Sequence, residues 1–193
     1  MKHRPKALLE LNGVPLLARQ LTALAAAGME RVVVVLGHHA EQLRPLVERF
    51  PVKVIAHPQP EVDQQASLRL GLATLDPTCH AVLVALVDQP LLEAADFQEL
   101  ISTYTTRPKG SEVVQPCVAG QPGNPVIFSA AVRDAILAAE AGFGCRHWQQ
   151  AYPEKVHRWD TPNTHYSTDV DTEDDIEEFA RRTGHRLVWP VGV

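Results

Sequence analysis

One carboxylate, Asp88, directly follows a continuous apolar run from Val82 to Val87 and precedes Gln89 and Pro90. Such a run is typical of a strand buried on both faces of a parallel sheet, and Pro90 cannot continue a strand's hydrogen-bonded ladder. Because open α/β sheets bind ligands beyond the carboxyl ends of their strands, Asp88 lies where a functional acid is expected. An aspartate that caps the next helix would leave the same pattern, so spacing alone leaves both interpretations open.

A second acidic group, Asp169 and Asp171, lies before another predicted helix. Carboxylates from two loops can hold one Mg²⁺ while phosphates and waters fill its remaining positions. The metal would neutralise charge on a nucleoside triphosphate and orient an in-line attack. The alternative is helix capping and interaction with the helix dipole, since Thr172 to Asp175 matches a capping box.

Two further groups could bind phosphate or a base. Lys6 follows Arg4 and Pro5 near the start of the chain, where a flexible ammonium could reach a phosphate or simply be solvated. Ser67 and Arg69 lie at the start of a predicted helix, and helix N-termini bind anions. For Ser67, a plain N-cap role remains the alternative.

The elements that would position these residues alternate between strand and helix. Strands are predicted at 31–36, 52–56, 82–87, 112–118, 125–128 and 155–159. Helices are predicted at 15–28, 40–50, 67–75, 94–104 and 129–140, with a last helix starting at the capping box. This alternation predicts βαβ crossovers and a three-layer α/β/α, Rossmann-like, mostly parallel sheet.

Composition limits the function classes. The 193 residues are predicted to form a single domain, 1–193, with 45% hydrophobic and 21% charged residues. A net charge of −5 favours neither nucleic acid nor an anionic membrane as a partner. No apolar run approaches the roughly 20 residues of a membrane span. We expect a soluble, cytoplasmic protein that is a monomer or small homo-oligomer.

Several common chemistries have no motif in this chain. The three cysteines, Cys79, Cys117 and Cys145, are widely spaced, which indicates neither a disulfide framework nor a thiolate zinc site. His38 and His39 are adjacent and do not suit a shared metal. The glycine-rich dinucleotide fingerprint, the phosphate-loop lysine motif and the serine nucleophile elbow are also absent from the sequence.

Taken together, ordered segments over nearly the whole chain resemble the MobA-like nucleotidyltransferases. Arg4 to Leu9 is similar to the family's RPK-x-LL start, Asp88 to Leu91 to its DQPL motif, and Gly123 to Phe128 to its GHPV-x-F element. The other similar segments are 12–17, 32–38, 67–72, 142–146 and 169–175. The molybdenum cofactor cytidylyltransferases are the branch that this chain resembles most.

The resemblance implies a nucleotide-diphospho-sugar transferase type of fold and a set of site residues. Lys6 and Asp88 would be catalytic, and Lys6, Ser67 and Asp88 would bind the nucleotide. Asp88 and Asp171 would hold Mg²⁺. The implied acceptor-binding residues are Gly123, Asn124, Pro125, Gly144 and Arg146.

The chain also departs from the family pattern. It begins after the family's first strand and glycine-rich phosphate loop, so we expect a missing first strand and a gap in the sheet. A mis-assigned gene start, a fragment or a degenerate relative would each account for this, and residues 187–189 could partly fill the gap. Asn124 replaces a histidine, Glu173 replaces a proline, and Gln64 to Ala66 replace a glycine-and-serine loop.

The resulting prediction is an enzyme that transfers a nucleoside monophosphate, CMP first among the candidates, from CTP or GTP to a phosphorylated acceptor such as molybdopterin. Mg²⁺ is the expected cofactor. Two alternatives remain open: a catalytically impaired nucleotide- or cofactor-binding relative, and a sugar-phosphate nucleotidyltransferase.

Overall fold

The computed structural model describes residues 4–58 and 64–191. Part of the polar loop predicted before the third helix, residues 59–63, lies outside the described residues. The strands of the described part are β1 (Glu10–Leu11), β2 (Val14–Pro15), β3 (Val33–Leu36), β4 (Lys53–Ala56), β5 (Ala81–Val84), β6 (Val113–Val118), β7 (Gln121–Pro122), β8 (Val126–Ser129), β9 (Val156–Asp160) and β10 (Leu187–Val188).

The helices alternate with these strands. The α-helices are α1 (Leu16–Ala26), α2 (Ala40–Val47), α3 (Gln64–Thr74), α4 (Ala94–Thr105), α5 (Ala130–Ala138), α6 (Cys145–Ala151) and α7 (Glu173–Thr183). Short 3-10 helices cover Lys6–Leu8, Pro153–Lys155 and Thr164–Ser167. None of the described helices combines the length and apolar character needed to cross a membrane.

The central sheet is built from strands that run mostly in one direction. β3 pairs in parallel with β4, and β6 pairs in parallel with β9. β8 lies antiparallel between β5 and β6, so those two strands run the same way. Just before β3 and β5, Arg31 forms an ion pair with Asp76 at 3.0 Å, so both strands begin at the same end of the sheet. The predicted α/β, mostly parallel fold is confirmed.

The sheet is divided by an open slot between β3 and β5. β3 and β4 form one piece, and β5, β8, β6, β7 and β9 form the other. Helix α3 covers both, because Gly71 packs on Val35 of β3 while Leu72 shares a core cluster with Val82 of β5. A helix is about 10 Å wide and strands lie about 4.8 Å apart, so the slot is about one strand wide. The expected gap is confirmed.

The slot changes the burial of the strands beside it. β5 was expected to be buried on both faces, yet Val82 is its one fully buried residue, and in β3 only Leu36 is fully buried. By contrast, every residue of β8 is buried. The expectation was wrong for β5 because, within the described residues, no strand pairs with the edge of β5 or β3 that faces the slot.

Two further sequence predictions are corrected. The tail does not fill the slot: Leu187 and Val188 pair with β1 in a separate sheet with β2. The apolar run before Asp88 is strand only as far as Val84, so Asp88 lies four residues beyond the strand's end. Residues 85–87 are not paired, and Gln20 of α1 donates instead to the carbonyl of Leu86 at 2.6 Å.

Local helix signals are mostly correct. Ser129 caps α5 by accepting from the backbone of Val132 at 3.3 Å, and Thr172 caps α7 with Asp175 in the predicted capping box. Gly28 has a positive φ of 86° just after α1, as a helix stop requires. The third helix was placed too late, since α3 begins at Gln64.

Candidate functional site

Lys6 joins the two acidic groups singled out in the sequence. Its Nζ lies 2.5 Å from Asp171 Oδ1 and 3.4 Å from Asp88 Oδ2. The three residues come from the 3-10 helix Lys6–Leu8, the turn after β5 and the segment before α7. The fold therefore brings Lys6 into contact with Asp88, which is 82 positions away in the sequence, and with Asp171, which is 165 positions away.

Backbone contacts hold the two acidic loops together. The amide of Val170 donates to the carbonyl of Asp88 at 2.9 Å, and Val170 itself is buried. Asp175 accepts from the amides of Asp171 and Thr172 at 2.9 and 2.7 Å. These bonds fix the backbone around Asp88 and Asp171 without using the carboxylate oxygens of either residue.

Helix capping does not account for either carboxylate. The helix after Asp88 is α4, whose capping box is formed by Glu93 and Asp96. The helix after Asp171 is α7, capped by Thr172 and Asp175. Neither Asp88 nor Asp171 caps the helix that follows it, so the capping interpretation that the sequence left open does not apply to them.

The electrostatics of the three groups reflect unequal burial. The side chain of Asp88 is 19% exposed and that of Asp171 is 60% exposed. Burial raises the pKa of Asp88, and the nearby Lys6 only partly offsets this. Burial opposes the charge on Lys6, but its hydrogen bond to Asp171 and the charges of both aspartates outweigh it and raise the Lys6 pKa.

The acidic pair suits a hard divalent cation. Asp88 Oδ1 is buried and has no hydrogen-bond partner within the described residues. Mg²⁺ accepts one or two carboxylates together with phosphates and waters, without an all-protein cage. Over residues 4–58 and 64–191, no cluster of three or more histidine, cysteine or acidic side chains suggests such a cage. Asp88 and Asp171 therefore fit Mg²⁺ bound jointly with a phosphate ligand.

A pocket lies beside Asp88. Its lining residues are Leu86, Asp88, Gln89, Gln121, Pro122, Gly123, Asn124, Tyr166, Ser167 and Asp169. At Gly123 the chain passes so close to Tyr166 that a Cβ would lie 2.5 Å from the Tyr166 carbonyl oxygen. The backbone N–H of Asn124 donates to the same carbonyl at 2.8 Å. Glycine is needed at 123 because any side chain would push this wall of the pocket apart.

Gln89 ties the pocket walls together. Its Nε2 donates to the carbonyls of Asn124 and Tyr166 at 2.9 and 3.0 Å. The side chain is 5% exposed, and its Oε1 has no partner in the described part of the chain. Because both of its partners are carbonyls, the amide nitrogen must face them, which fixes the orientation of the whole amide.

A second buried polar group supports the same wall. Asp96 accepts from the Glu93 amide at 2.7 Å, from Asn163 Nδ2 at 2.7 Å and from His165 Nδ1 at 2.9 Å. The hydroxyl of Tyr166 donates to the Asp96 carbonyl at 2.7 Å. Helix α4 thereby anchors the segment that forms one side of the pocket.

The remaining implied site residues lie elsewhere. Ser67 is inside α3, not at its cap, because the helix begins at Gln64. Arg69 donates to the carbonyls of Ile136, Leu137 and Ala139 at the end of α5, so it fastens two helices.

The predicted acceptor residues divide into two groups. Gly123 and Asn124 line the pocket, and Pro125 follows them after a cis peptide bond. Gly144 packs against Gln65 at the start of α3, and Arg146 is exposed on α6. Neither Gly144 nor Arg146 lines the pocket next to Asp88.

Sequence reasoning missed Gln89, Asp96 and Tyr166 as individual site residues. Gln89 follows Asp88 directly, and that adjacency was the one available signal. The one sequence signal at Asp96 was its position three residues after Glu93, a spacing typical of a helix capping box. For Tyr166 no local pattern exists, because its part in the site is played by a backbone carbonyl.

Comparison with known proteins finds relatives that match part of this chain. The chain is 43% identical over 54 residues to a 2-aminoethylphosphonate cytidylyltransferase from Lancefieldella rimae, a match covering 28% of this chain and 22% of that protein. It is 30% identical over 130 residues to the bifunctional protein GlmU of Pelotomaculum thermopropionicum, covering 67% and 27%. The matches span about a quarter of each relative's length.

The fold also matches solved structures. Rv0371c from Mycobacterium tuberculosis H37Rv superposes with a TM-score of 0.74 at 24% identity, covering 93% of this chain and 90% of that one. Its complex with manganese superposes with a TM-score of 0.70 at 23% identity, covering 92% and 91%. A family model for the MobA-like NTP transferase domain matches residues 1–156. Since that model spans most of the sequence, the chain belongs to the MobA-like NTP transferase family of nucleotidyltransferases.

Proposed function

We propose that the protein transfers a nucleoside monophosphate, CMP first among the candidates, from a nucleoside triphosphate to a phosphorylated small molecule with the help of Mg²⁺. One observation carries this proposal. A lysine and two carboxylates meet at 2.5 and 3.4 Å beside a pocket whose lining includes carboxylate, amide and hydroxyl side chains. This set can bind a triphosphate and its metal together.

Each residue has a defined part in the proposed reaction. Lys6 would bind the triphosphate, and Asp88 and Asp171 would hold the metal. When bound, Mg²⁺ would neutralise phosphate charge. Gly123 and Asn124 would position the acceptor in the pocket next to Asp88. Catalysis would come from positioning and charge neutralisation, because nothing in the reaction requires a protein nucleophile.

The bond changes follow from the substrates. An anionic oxygen of the acceptor attacks the α-phosphorus of the triphosphate and forms a new phosphorus–oxygen bond. The bond from the α-phosphorus to the bridging oxygen breaks, and pyrophosphate leaves with that electron pair. The attacking oxygen is already ionised at neutral pH, so the step needs no general base.

Two acceptor types have support. The resemblance to molybdenum cofactor cytidylyltransferases favours molybdopterin. The 43% identity over 54 residues to a 2-aminoethylphosphonate cytidylyltransferase favours a phosphonate. Both would present an anionic phosphorus-bound oxygen to the pocket beside Asp88.

We also propose that residues 1–193 act as one domain. The family model ends at residue 156, but Asp171 lies beyond it and contacts Lys6 near the start of the chain. The metal pair that we assign therefore needs both parts of the sequence. A net charge of −5 supports small-molecule substrates over nucleic acid, and we infer a cytoplasmic enzyme.

Pyrophosphate release tests the proposal. The purified protein would be incubated with CTP or GTP, Mg²⁺ and, in turn, molybdopterin, 2-aminoethylphosphonate or a sugar 1-phosphate. We expect release with one nucleotide and one acceptor, and none without metal. Nucleotide binding without release for any acceptor would instead favour the catalytically impaired alternative. Release with the sugar phosphate alone would favour a sugar-phosphate nucleotidyltransferase.

A further inference from the structure

The Lys6 ammonium lies between the two carboxylates that are assigned to the metal. It contacts Asp171 at 2.5 Å and Asp88 at 3.4 Å through the single atom Nζ. Both contacted atoms are carboxylate oxygens, which are the atoms a hard divalent cation would use. Asp88 Oδ1 has no partner in the described part of the chain, but the ammonium already neutralises one oxygen of each carboxylate. The ammonium and a metal bound by both residues therefore compete for the same pair of carboxylates.

Close packing makes this competition direct. Oxygen ligands of Mg²⁺ lie about 2.1 Å from the ion, so a cation shared by Asp88 and Asp171 would draw the two carboxylates inward. An ammonium 2.5 Å from Asp171 would then lie against a doubly positive ion at very short range. Like charges at such a distance repel strongly. This repulsion weakens metal binding by the two carboxylates for as long as the Lys6 ammonium stays between them.

A triphosphate offers Lys6 another partner. Its oxygens are anionic, and a lysine ammonium on a flexible stem can turn from one anion to another. The side chain of Lys6 is 28% exposed, so the ammonium is not locked in by packing. The bond to Asp171 is near the surface, because that carboxylate is 60% exposed.

We propose that Lys6 is an exchangeable counter-cation, which holds Asp88 and Asp171 in the nucleotide-free protein and releases them when it moves to a phosphate. Divalent cations then bind the nucleotide-free protein weakly, and the metal site becomes available together with the triphosphate. The inference rests on the proposed function, because it assigns the two carboxylates to a metal. It adds a coupling between nucleotide and metal binding within that site.

The test measures metal binding without nucleotide and without turnover. Mn²⁺ is titrated into the wild-type chain of 193 residues and its Lys6→Met and Lys6→Gln variants, with free Mn²⁺ followed by electron paramagnetic resonance. Lys53→Met is the control for the lost charge, since Lys53 is exposed at the start of β4, the opposite end of the strands from Asp88. Melting curves confirm that each variant is folded.

We expect both Lys6 variants to bind Mn²⁺ about ten- to a hundredfold more tightly than the wild type. This is the size of effect expected when a competing charge-assisted hydrogen bond is removed. The Lys53→Met control should match the wild type, and adding Asp88→Asn to Lys6→Met should abolish the gain.

Equal or weaker Mn²⁺ binding by both Lys6 variants would overturn the inference. If Mn²⁺ still bound these proteins and Asp88→Asn removed the binding, the assignment of Asp88 to the metal would stand and only the role of Lys6 would be wrong. If no protein bound Mn²⁺, the exchange would be refuted. The proposed transfer reaction would then be judged separately by pyrophosphate release.

Discussion

Replacing Asp88 by asparagine should remove activity while leaving the fold intact. The backbone carbonyl of Asp88, which accepts from Val170 at 2.9 Å, is unchanged by the substitution. The lost ionic contact to Lys6 is long, at 3.4 Å, and Lys6 keeps its 2.5 Å bond to Asp171. Such a partly exposed pair contributes about 0–1 kcal/mol. Burial raises the pKa of Asp88, so a neutral amide also relieves some of the cost of burying a charge.

These terms predict a small change in stability and a large change in rate. The free energy of unfolding should change by no more than about 1 kcal/mol, and a protein of this size shifts its melting temperature by roughly 2–4 °C per kcal/mol. Loss of one charge-stabilising group in an active site typically costs about 10²- to 10³-fold in rate. Pyrophosphate release and thermal melting would be measured on the same preparations.

The same substitution at Asp96 provides the contrast. Asp96 accepts three hydrogen bonds, from Glu93, Asn163 and His165, and is 5% exposed. Asparagine would turn one acceptor into a donor facing other donors, at a cost of about 1–3 kcal/mol. Asp96→Asn should therefore lower the melting temperature by roughly 2–12 °C. The reasoning fails if Asp88→Asn keeps more than a tenth of the wild-type rate or melts as low as Asp96→Asn.

Two further predictions test the pocket and the slot. Gly123→Ala should destabilise the protein by about 1–3 kcal/mol and weaken acceptor binding, because its Cβ would meet a backbone oxygen at 2.5 Å. The Cβ of Gly144→Ala would meet side chains rather than backbone, with the flexible Gln65 nearest at 3.1 Å and Leu68 at 3.7 Å. Denaturant titration should therefore show a smaller loss of stability, and equal losses would contradict the argument. In hydrogen exchange, the amides of Val33 and Val35 should exchange faster than that of Val34. The carbonyls of Val32 and Leu36 accept hydrogen bonds from the β4 side, so the backbone groups of Val33 and Val35 point the other way, toward the slot. Uniform protection of the amides along β3 would show that the slot is closed.

Much of the fold could be predicted because its signals are local. The caps at Ser129 and Thr172 and the stop at Gly28 depend on a few adjacent residues and on backbone groups that every helix leaves unpaired. The alternation of strands and helices likewise follows from short-range periodicity. The sequence showed that Asp88 follows an apolar run, but it could not decide whether Asp88 is a metal ligand or a helix cap.

The rest could not be predicted because it depends on contacts between distant segments. Whether β3 and β5 are buried depends on what pairs with their free edges, and no property of either strand reports this. Gln89 became a pocket residue only because two remote carbonyls, those of Asn124 and Tyr166, meet its amide. Gly144 and Arg146 match the family pattern but do not line the pocket beside Asp88.

The sequence by itself determined the fold class, the order of the elements and the chemical character of the candidate site, because residue type and short spacing carry that information. The tertiary structure decided which of the acidic residues meet. It brought Asp88 and Asp171 to one ammonium, assigned the capping to other side chains, and left β3 and β5 unpaired with each other. The physical reason is that ion pairs and sheet ladders are set by distance in space, which local sequence does not encode.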